Sequence, residues 1–332
     1  MTSLRMSGGG GVEAVGAALH RPAGAAMGLV AAVALVFGFA AIATGFAFQL
    51  IDTICYYAML ALGLNLVMGF AGQFDFGHTT FFAVGAYVAG LLMIGVPGLD
   101  FVAVMALACA AAALVALLLA LPIFRFRGDY LALVTLGFAL IAQSIALNLD
   151  ITGGPNGLPG IPVAHILGLR LEGNEPYYFL GVLLTASCAL IVWLLTRVRA
   201  GRAILAIRED ELAAATVGVD PWRTKVLAFV VAGAFAGIAG AYAAGLFSFV
   251  GPDQFGLDQA ILLTEMVLVG GLGSIAGSIA GAVVFVAIQS VLVVFVPALA
   301  GHEDLLIGLL MLVVVLSRPQ GLFGKPFVRR RA

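Results

Sequence analysis

Charge is scarce in this sequence. Asp, Glu, Lys and Arg together make up 10% of its 332 residues, against roughly a quarter in soluble domains. That shortfall excludes an ordinary water-soluble globular protein. The three cysteines, Cys55, Cys109 and Cys188, each fall inside an apolar run without paired spacing, which excludes a disulfide framework or a cysteine zinc site. The four histidines, His20, His78, His165 and His302, form no His-x-x-x-His pair, and there is no G-x-S-x-G elbow. No catalytic residue, metal ligand or cofactor site is expected in this chain. A phosphate loop is missing too: the nearest string, GLFGKP at 321–326, has Pro326 where the hydroxyl residue belongs. Nor is there an Arg-rich voltage-sensing span or a selectivity-filter signature. With enzyme chemistry, direct nucleotide hydrolysis and channel gating set aside, transport remains.

What is present is apolar: 63% of the residues are hydrophobic, with a mean hydropathy of +1.15. Taking about 20 residues per crossing, the chain reads as an all-α polytopic membrane protein with about ten transmembrane helices. They run from Met27 to Phe48, Leu50 to Phe70, Thr80 to Val96, Phe101 to Phe124 and Tyr130 to Leu149, then from Tyr177 to Thr196, Val226 to Phe249, Gln259 to Gly273, Ser278 to Leu299 and Leu305 to Ser317. Residues 1–26 read as a cytoplasmic tail, 27–317 as one permease domain, and 318–332 as a basic cytoplasmic tail. The first apolar run lacks a small-residue cleavage site and reads as a retained helix.

Basic residues concentrate in cytoplasmic loops. Ten crossings with both termini inside place Arg5, Arg21, Arg125, Arg127, the loop 197–225 and the tail arginines in the cytoplasm, leaving only Arg170 outside. The outer loops then hold Asp100, Asp150, Glu172, Glu175, Asp253, Asp258, Glu303 and Asp304. Asp52 falls near the outer face, where a charge carries little information. The long outer loop 150–176 contains the turn-rich string TGGPNGLPGIP. It reads either as a cover or partner site at the outer mouth or as a plain connector.

Two interruptions break the apolar pattern. In GFAGQFDFGHTTFFAVGAY, residues 69–87, Gln73, Asp75 and His78 stand among glycines. Lipid cannot satisfy free amides, so irregular backbone survives at membrane depth only inside protein or along a wet cavity. A discontinuous helix near 71–80 on a translocation path and a plain turn between spans both fit, and His78, Thr79 and Thr80 are candidate caps for the next helix. The second interruption, LVGGLGSIAGSIAGAV at 268–283, breaks the chain near 270–278. Paired breaks can mark a transport path, although close packing of Gly270, Gly271, Gly273, Gly277 and Gly281 is the simpler reading. Polar groups inside spans add candidates for the path: Asn65, Gln143 and, flanked by apolar residues, Glu265. With Gln73, Asp75 and His78 they complete the path set. Asn148 and Gln289 carry the same argument more weakly.

The longest charged segment is internal, RVRAGRAILAIREDELAAATVGVDPWRTK at 197–225. It reads as a short amphipathic helix closed by Gly218, with Ile204, Leu205, Leu212 and Val217 forming an apolar face beneath the membrane. A helix lying on anionic lipid would avoid Glu209, Asp210 and Glu211, so a protein partner is expected.

The segment resembles the coupling segment of ABC-importer permeases, whose motif is Glu-Ala-Ala, three residues, then Gly. Ala213, Ala214 and Gly218 are in register, but Leu212 takes the Glu position and Glu211 is one residue early. GLNLVMGFAGQFDFGHTTFFAVGAY, RGDYLALVTLGFALI, TGGPNGLPGIP, AIREDELAAATVGVD, VLVGGLGSIAGSIAGA and RPQGLFG together resemble the permease subunit of high-affinity branched-chain amino-acid importers. That resemblance implies a bacterial inner-membrane assembly with a second related permease, two cytoplasmic ATPases and an extracytoplasmic substrate-binding protein, and no nucleic acid. The ATPases would dock on Arg208, Glu209, Asp210, Glu211, Ala213, Ala214 and Gly218. Two alternatives stay open: a stand-alone ion-coupled transporter using Glu265, and the same machine carrying urea or short amides.

Overall fold

The computed structural model describes residues 45–124, 129–295, 303–318 and 320–324. The expected tail 1–26, all but the last four residues of the expected first span, Arg125, Arg127 and the end of the basic tail lie outside them. The chain divides into two compact units, 1–48 and 49–332. Of the first, only Gly45–Phe48, an opening helical turn, is described.

Helix α1 runs Gly45–Asn65 and continues as a π-helical turn, Leu66–Phe70. After a break come α2 (His78–Gly95), α3 (Phe101–Ile123), α4 (Asp129–Asn148) and α5 (Asn174–Arg197). Two short helices follow, α6 (Arg199–Glu209) and α7 (Glu211–Thr216), then the long α8 (Pro221–Phe247). The chain ends with α9 (Leu257–Gly270), α10 (Ile275–Phe295) and α11 (Glu303–Ser317). Among the described residues six segments are long and apolar enough to cross a membrane: Gly45–Phe70, His78–Gly95, Phe101–Ile123, Tyr130–Asn148, Asn174–Arg197 and Pro221–Phe247. These match six of the expected spans to within a few residues. The three expected spans after residue 257 correspond to α9, α10 and α11, shorter in their apolar stretches.

Why these helices pack so closely is written in small residues. On α3, Ala108, Ala112, Ala116 and Ala120 recur every fourth position and are fully buried. Gly233 and Gly237 of α8 lie against them, since a Cβ at Gly233 would come within 2.5 Å of the Ala116 methyl, and one at Gly237 within 2.7 Å of that of Ala112. On its other side α8 meets α2 backbone to backbone, with Gly85 facing Gly237 and Gly240 facing the Phe82 carbonyl. Small residues let helices approach without a hydrophobic driving force between them. Alpha8 is therefore the centre of the bundle, with α1, α2 and α3 around it.

Connections gather into two groups. At one end, Asp100 accepts from Val102 N (2.9 Å), capping α3, and from Leu167 N (2.7 Å), pinning the 150–176 loop. Strand β1 (Leu158–Pro159) of that loop pairs antiparallel with β4 (Phe249–Val250), while β2 (His165–Ile166) pairs with β3 (Leu169–Arg170). These two-residue ladders are the described β-structure, and they serve the loop rather than the core. At the other end, the segment 71–77, α6, the turn 271–274 and the C-terminal stretch Gly321–Gly324 come together.

One expectation is corrected in the charged segment. The single helix read over 201–218 is two helices hinged at Asp210, whose extended backbone (φ −161°, ψ 111°) stops α6 and whose carboxylate accepts from Ala213 N to cap α7. An acid placed to cap a second helix breaks the first. Gly218 at φ +89° then closes α7, and Asp220 with Pro221 starts α8, as the sequence indicated.

Candidate functional site

The π-helical turn at Leu66–Phe70 ends α1, and Ala71 N donates back to Leu66 O across it. The chain then folds back up the bundle. Beginning α2, His78 lies against Gly63: a Cβ there would sit 3.0 Å from His78 Cε1 and 3.1 Å from the Ala232 carbonyl. Gly63 is seven residues before Phe70, about 10 Å back along the helix at 1.5 Å per residue. Segment 71–77 thus links two helices that are each long and apolar enough to cross a membrane, and it sets the start of α2 about two turns back along α1. Its backbone is satisfied by protein: Gln73 N donates to Val67 O, Phe76 N to Thr135 Oγ1 of α4 (3.0 Å), and Gly77 N to Asp75 Oδ1 (2.8 Å). The cap of α2 is Gly77, with no side-chain bond; His78, Thr79 and Thr80 lie inside the helix and do not cap it.

Asn65 joins this break to the second one. Fully buried at the last position of α1, it donates through Nδ2 to Ser278 Oγ (2.7 Å), Ser274 O (3.0 Å) and Gly271 O (3.3 Å), and it accepts at Oδ1 from Gly273 N (2.8 Å). One carboxamide therefore spans the whole turn 271–274 between α9 and α10. The contact requires glycine on both sides, since a Cβ at Gly69 would collide with Asn65 Oδ1 and Gly273 N. Gly273 itself sits at φ +74°, where a side chain is strained. The other glycines of 268–283 do pack closely: Gly270 against Gly277, and Gly281 against the Met266 carbonyl. Leu322 N and Phe323 N then bond the carbonyls of Val269 and Gly270, seating the RPQGLFG string on the end of α9.

Onto this junction of breaks sits α6. A Cβ at Gly72 would lie 3.2 Å from Arg208 Cγ, and one at Gly273 would lie 2.7 Å from Arg208 Nη1, so the arginine runs across both breaks. Ile204 and Ile207 are buried on the same helix. Leu212 and Val217, past the kink at Asp210, are 73% and 78% exposed on α7, whereas Ile204 is buried. Of the three acids, Glu209 is exposed, Asp210 caps α7, and Glu211 accepts from Lys225 Nζ at 2.7 Å, where the lysine is 5% exposed. Ala213 is exposed and Ala214 is buried, while Gly218 is the helix terminator.

Other path candidates are dispersed. Gln73 bonds locally to Ala71 O, and Asp75 is buried with its second oxygen unpaired among the described residues. Gln143 belongs to the opposite end, where a Cβ at Gly256 would meet its Nε2 at 2.7 Å. Glu265 is half-buried beside Asp258 and Ile307 on a cavity of about 220 Å³. Asn65, Gln73, Asp75 and His78 thus belong to one region, while Gln143 and Glu265 do not. Sequence reasoning passed over Asp52, which is fully buried and accepts a 3.2 Å bond from the hydroxyl of Tyr242 on α8. An acid seven residues into α1 was the available signal. Among the described residues no group of His, Cys, Asp and Glu could hold a metal ion.

Comparison with known proteins fits this arrangement. The family model for the permease component of branched-chain amino acid transport systems matches residues 46–315. The high-affinity branched-chain amino acid transport system permease protein LivM of Salmonella typhimurium is 36% identical over 290 residues, covering 80% of this chain and 67% of that relative. BraD of Pseudomonas aeruginosa, with the same description, is 25% identical over 292 residues, covering 82% and 93%. The autoinducer 2 import system permease protein LsrC of Klebsiella pneumoniae is 33% identical over 172 residues, half of this chain and 47% of its own. No solved structure matches. Matched from its first described helix to its last, the chain belongs to the family of permease components of branched-chain amino acid transport systems.

Proposed function

We propose that this chain is one permease half of an ATP-driven importer that moves branched-chain amino acids inward across a bacterial inner membrane. In this reading it crosses the membrane ten times with both termini in the cytoplasm, as one permease domain over 27–317 between two cytoplasmic tails. It pairs with a second related permease, takes its cargo from an extracytoplasmic binding protein, and is driven by two cytoplasmic ATPases that dock on the α6–α7 hairpin. The chain itself carries no cofactor and performs no hydrolysis.

The observation that carries the reading is the seat of α6, whose Arg208 runs across Gly72 and Gly273 where the two breaks meet. A force applied to the hairpin from the water would reach both discontinuities through one side chain. Packed elements with two arrangements are the physical means by which distant sites couple. The exposed Leu212 and Val217 give a partner an apolar grip on the same hairpin.

Reconstitution tests the proposal. Vesicles holding both permeases and the ATPases, supplied with binding protein, are expected to accumulate labelled leucine only with ATP, and vesicles holding this chain alone to accumulate none under a proton or sodium gradient. Gradient-driven uptake by the chain alone would overturn it in favour of the ion-coupled reading, which depends on Glu265.

A further inference from the structure

A second cavity lies away from the Asn65 junction, toward the end of the bundle where β1 and β4 pair. It has a volume of about 180 Å³, and five separate elements build it. Helix α1 supplies Tyr56 and Tyr57, α2 supplies Phe82, and α8 supplies Ala243 and Phe247; Gln254 comes from the 3₁₀ turn Pro252–Phe255 and Gln259 from the first turn of α9. The aromatic walls brace one another. The Tyr56 ring lies 4.1 Å from that of Tyr57, stacks parallel to Phe82 at 6.2 Å, and meets Phe247 edge-on at 5.9 Å. Tyr56, Tyr57 and Phe82 are buried, whereas Phe247 is 40% exposed and forms the open side.

The polar groups of the lining residues are two neutral amides, Gln254 and Gln259, and the hydroxyls of Tyr56 and Tyr57. Neither the Gln254 nor the Gln259 side chain bonds to another described residue, so both keep their hydrogen-bonding capacity for something inside the cavity. A glutamine amide presents a carbonyl that accepts from an ammonium and an NH₂ that donates to a carboxylate. No charged residue lines the cavity. The lining therefore suits a molecule with both charges and no net charge, held without the tight ion pair that would keep it from leaving. Transport paths need binding favourable enough to admit the cargo and weak enough to release it. Size narrows the class, because an apolar cavity of about 150 Å³ holds benzene, so this one takes a body of branched aliphatic size.

Resting on the function proposed above, we infer that this aromatic and glutamine pocket is a transient subsite for a zwitterionic α-amino acid with a branched aliphatic side chain. The hydrocarbon lies against Tyr56, Tyr57 and Phe82, and the α-ammonium and α-carboxylate face Gln254 and Gln259. The pocket sorts cargo by the size of its apolar part, and Ala243 sets the floor.

The test uses the full assembly in vesicles with binding protein, measuring initial uptake of valine and leucine together. Ala243→Leu fills the floor and is expected to lower the leucine-to-valine uptake ratio by about tenfold, the usual worth of one methylene in a tight pocket. Gln254→Leu, at a half-buried position that tolerates an apolar side chain, is expected to reduce uptake of both while leaving ATP hydrolysis intact. A second measurement avoids any folding defect at the buried alanine. In purified assembly, a thiol reagent should label Phe247→Cys, and leucine but not glutamate should slow the labelling, with the unsubstituted chain correcting for the native cysteines. An unchanged uptake ratio in Ala243→Leu that imports, or labelling indifferent to leucine, overturns the subsite. A wild-type assembly that imports no branched-chain amino acid overturns the functional reading, and the subsite with it.

Discussion

Asn65 shows how much one buried polar side chain can organise. Its carboxamide satisfies two backbone carbonyls, one backbone amide and a serine hydroxyl across more than 200 residues of sequence. Leaving a buried donor or acceptor unpaired costs about 1–3 kcal/mol, roughly twice the net gain of the same bond when made. Asn65→Leu is therefore expected to lower the thermal unfolding midpoint of the purified protein clearly more than Ser278→Ala, which removes only one of those bonds. Equal midpoints for the two variants would mean that the turn 271–274 holds its shape without the carboxamide. The three acids of the charged segment teach a related lesson. They read alike in sequence, yet Asp210 caps a helix, Glu211 neutralises a buried lysine, and Glu209 is simply exposed. Removing Glu211 would strand the Lys225 ammonium at a site that is 5% exposed, which makes it a poor probe of docking.

At the scale of elements, the hairpin α6–α7 has two faces with different jobs. Alpha6 turns Ile204, Ile207 and Arg208 toward the bundle, while α7 presents Leu212 and Val217 to the surroundings. Leu212, which stands at the glutamate position in the resemblance to ABC-importer coupling segments, is 73% exposed, and under the proposed function it offers a partner an apolar contact in place of a charge. Arg208→Ala in the assembled transporter is expected to lower import per ATP hydrolysed by about tenfold, within the usual range of coupling between sites. Arg208→Lys, which keeps the charge but loses the planar fork, should recover part of it. Import per ATP equal to wild type in Arg208→Ala would remove the arginine from the coupling route.

For the whole molecule, the two groups of connections define its ends. Loop 150–176 with residues 248–256 forms one, and segment 71–77 with α6, 271–274 and 321–324 forms the other. Single cysteines at two exposed positions, Val217→Cys and Leu169→Cys, are expected to react with an impermeant thiol reagent from opposite sides of intact cells and inverted vesicles, Val217→Cys from the cytoplasmic side. Reaction of both from the same side would break the orientation derived from the positive charges. Much of this scale was legible early. Apolar runs located α1 to α5 and α8 within a few residues, because a helix in lipid must satisfy its own backbone and can do so only as an unbroken apolar stretch. The two breaks were legible as well, since polar residues and glycines cannot be hidden in such a run.

Their meeting was not legible. Nothing in the spacing of Asn65 and Gly273 says that one carboxamide bridges them, and nothing in Asp52 says that Tyr242 receives it, because such contacts depend on how closely helices approach. The sequence by itself determined the membrane class, the position of most helices, the two polar and glycine-rich interruptions and the charged segment, all of them consequences of local composition and period. Only the tertiary structure decided that Arg208 runs across both breaks, that Leu212 and Val217 face outward, and that two tyrosines, two phenylalanines and two glutamines from five elements enclose one cavity. Those are outcomes of glycine and alanine packing around α8, where a difference of one methyl group sets which side chains can touch.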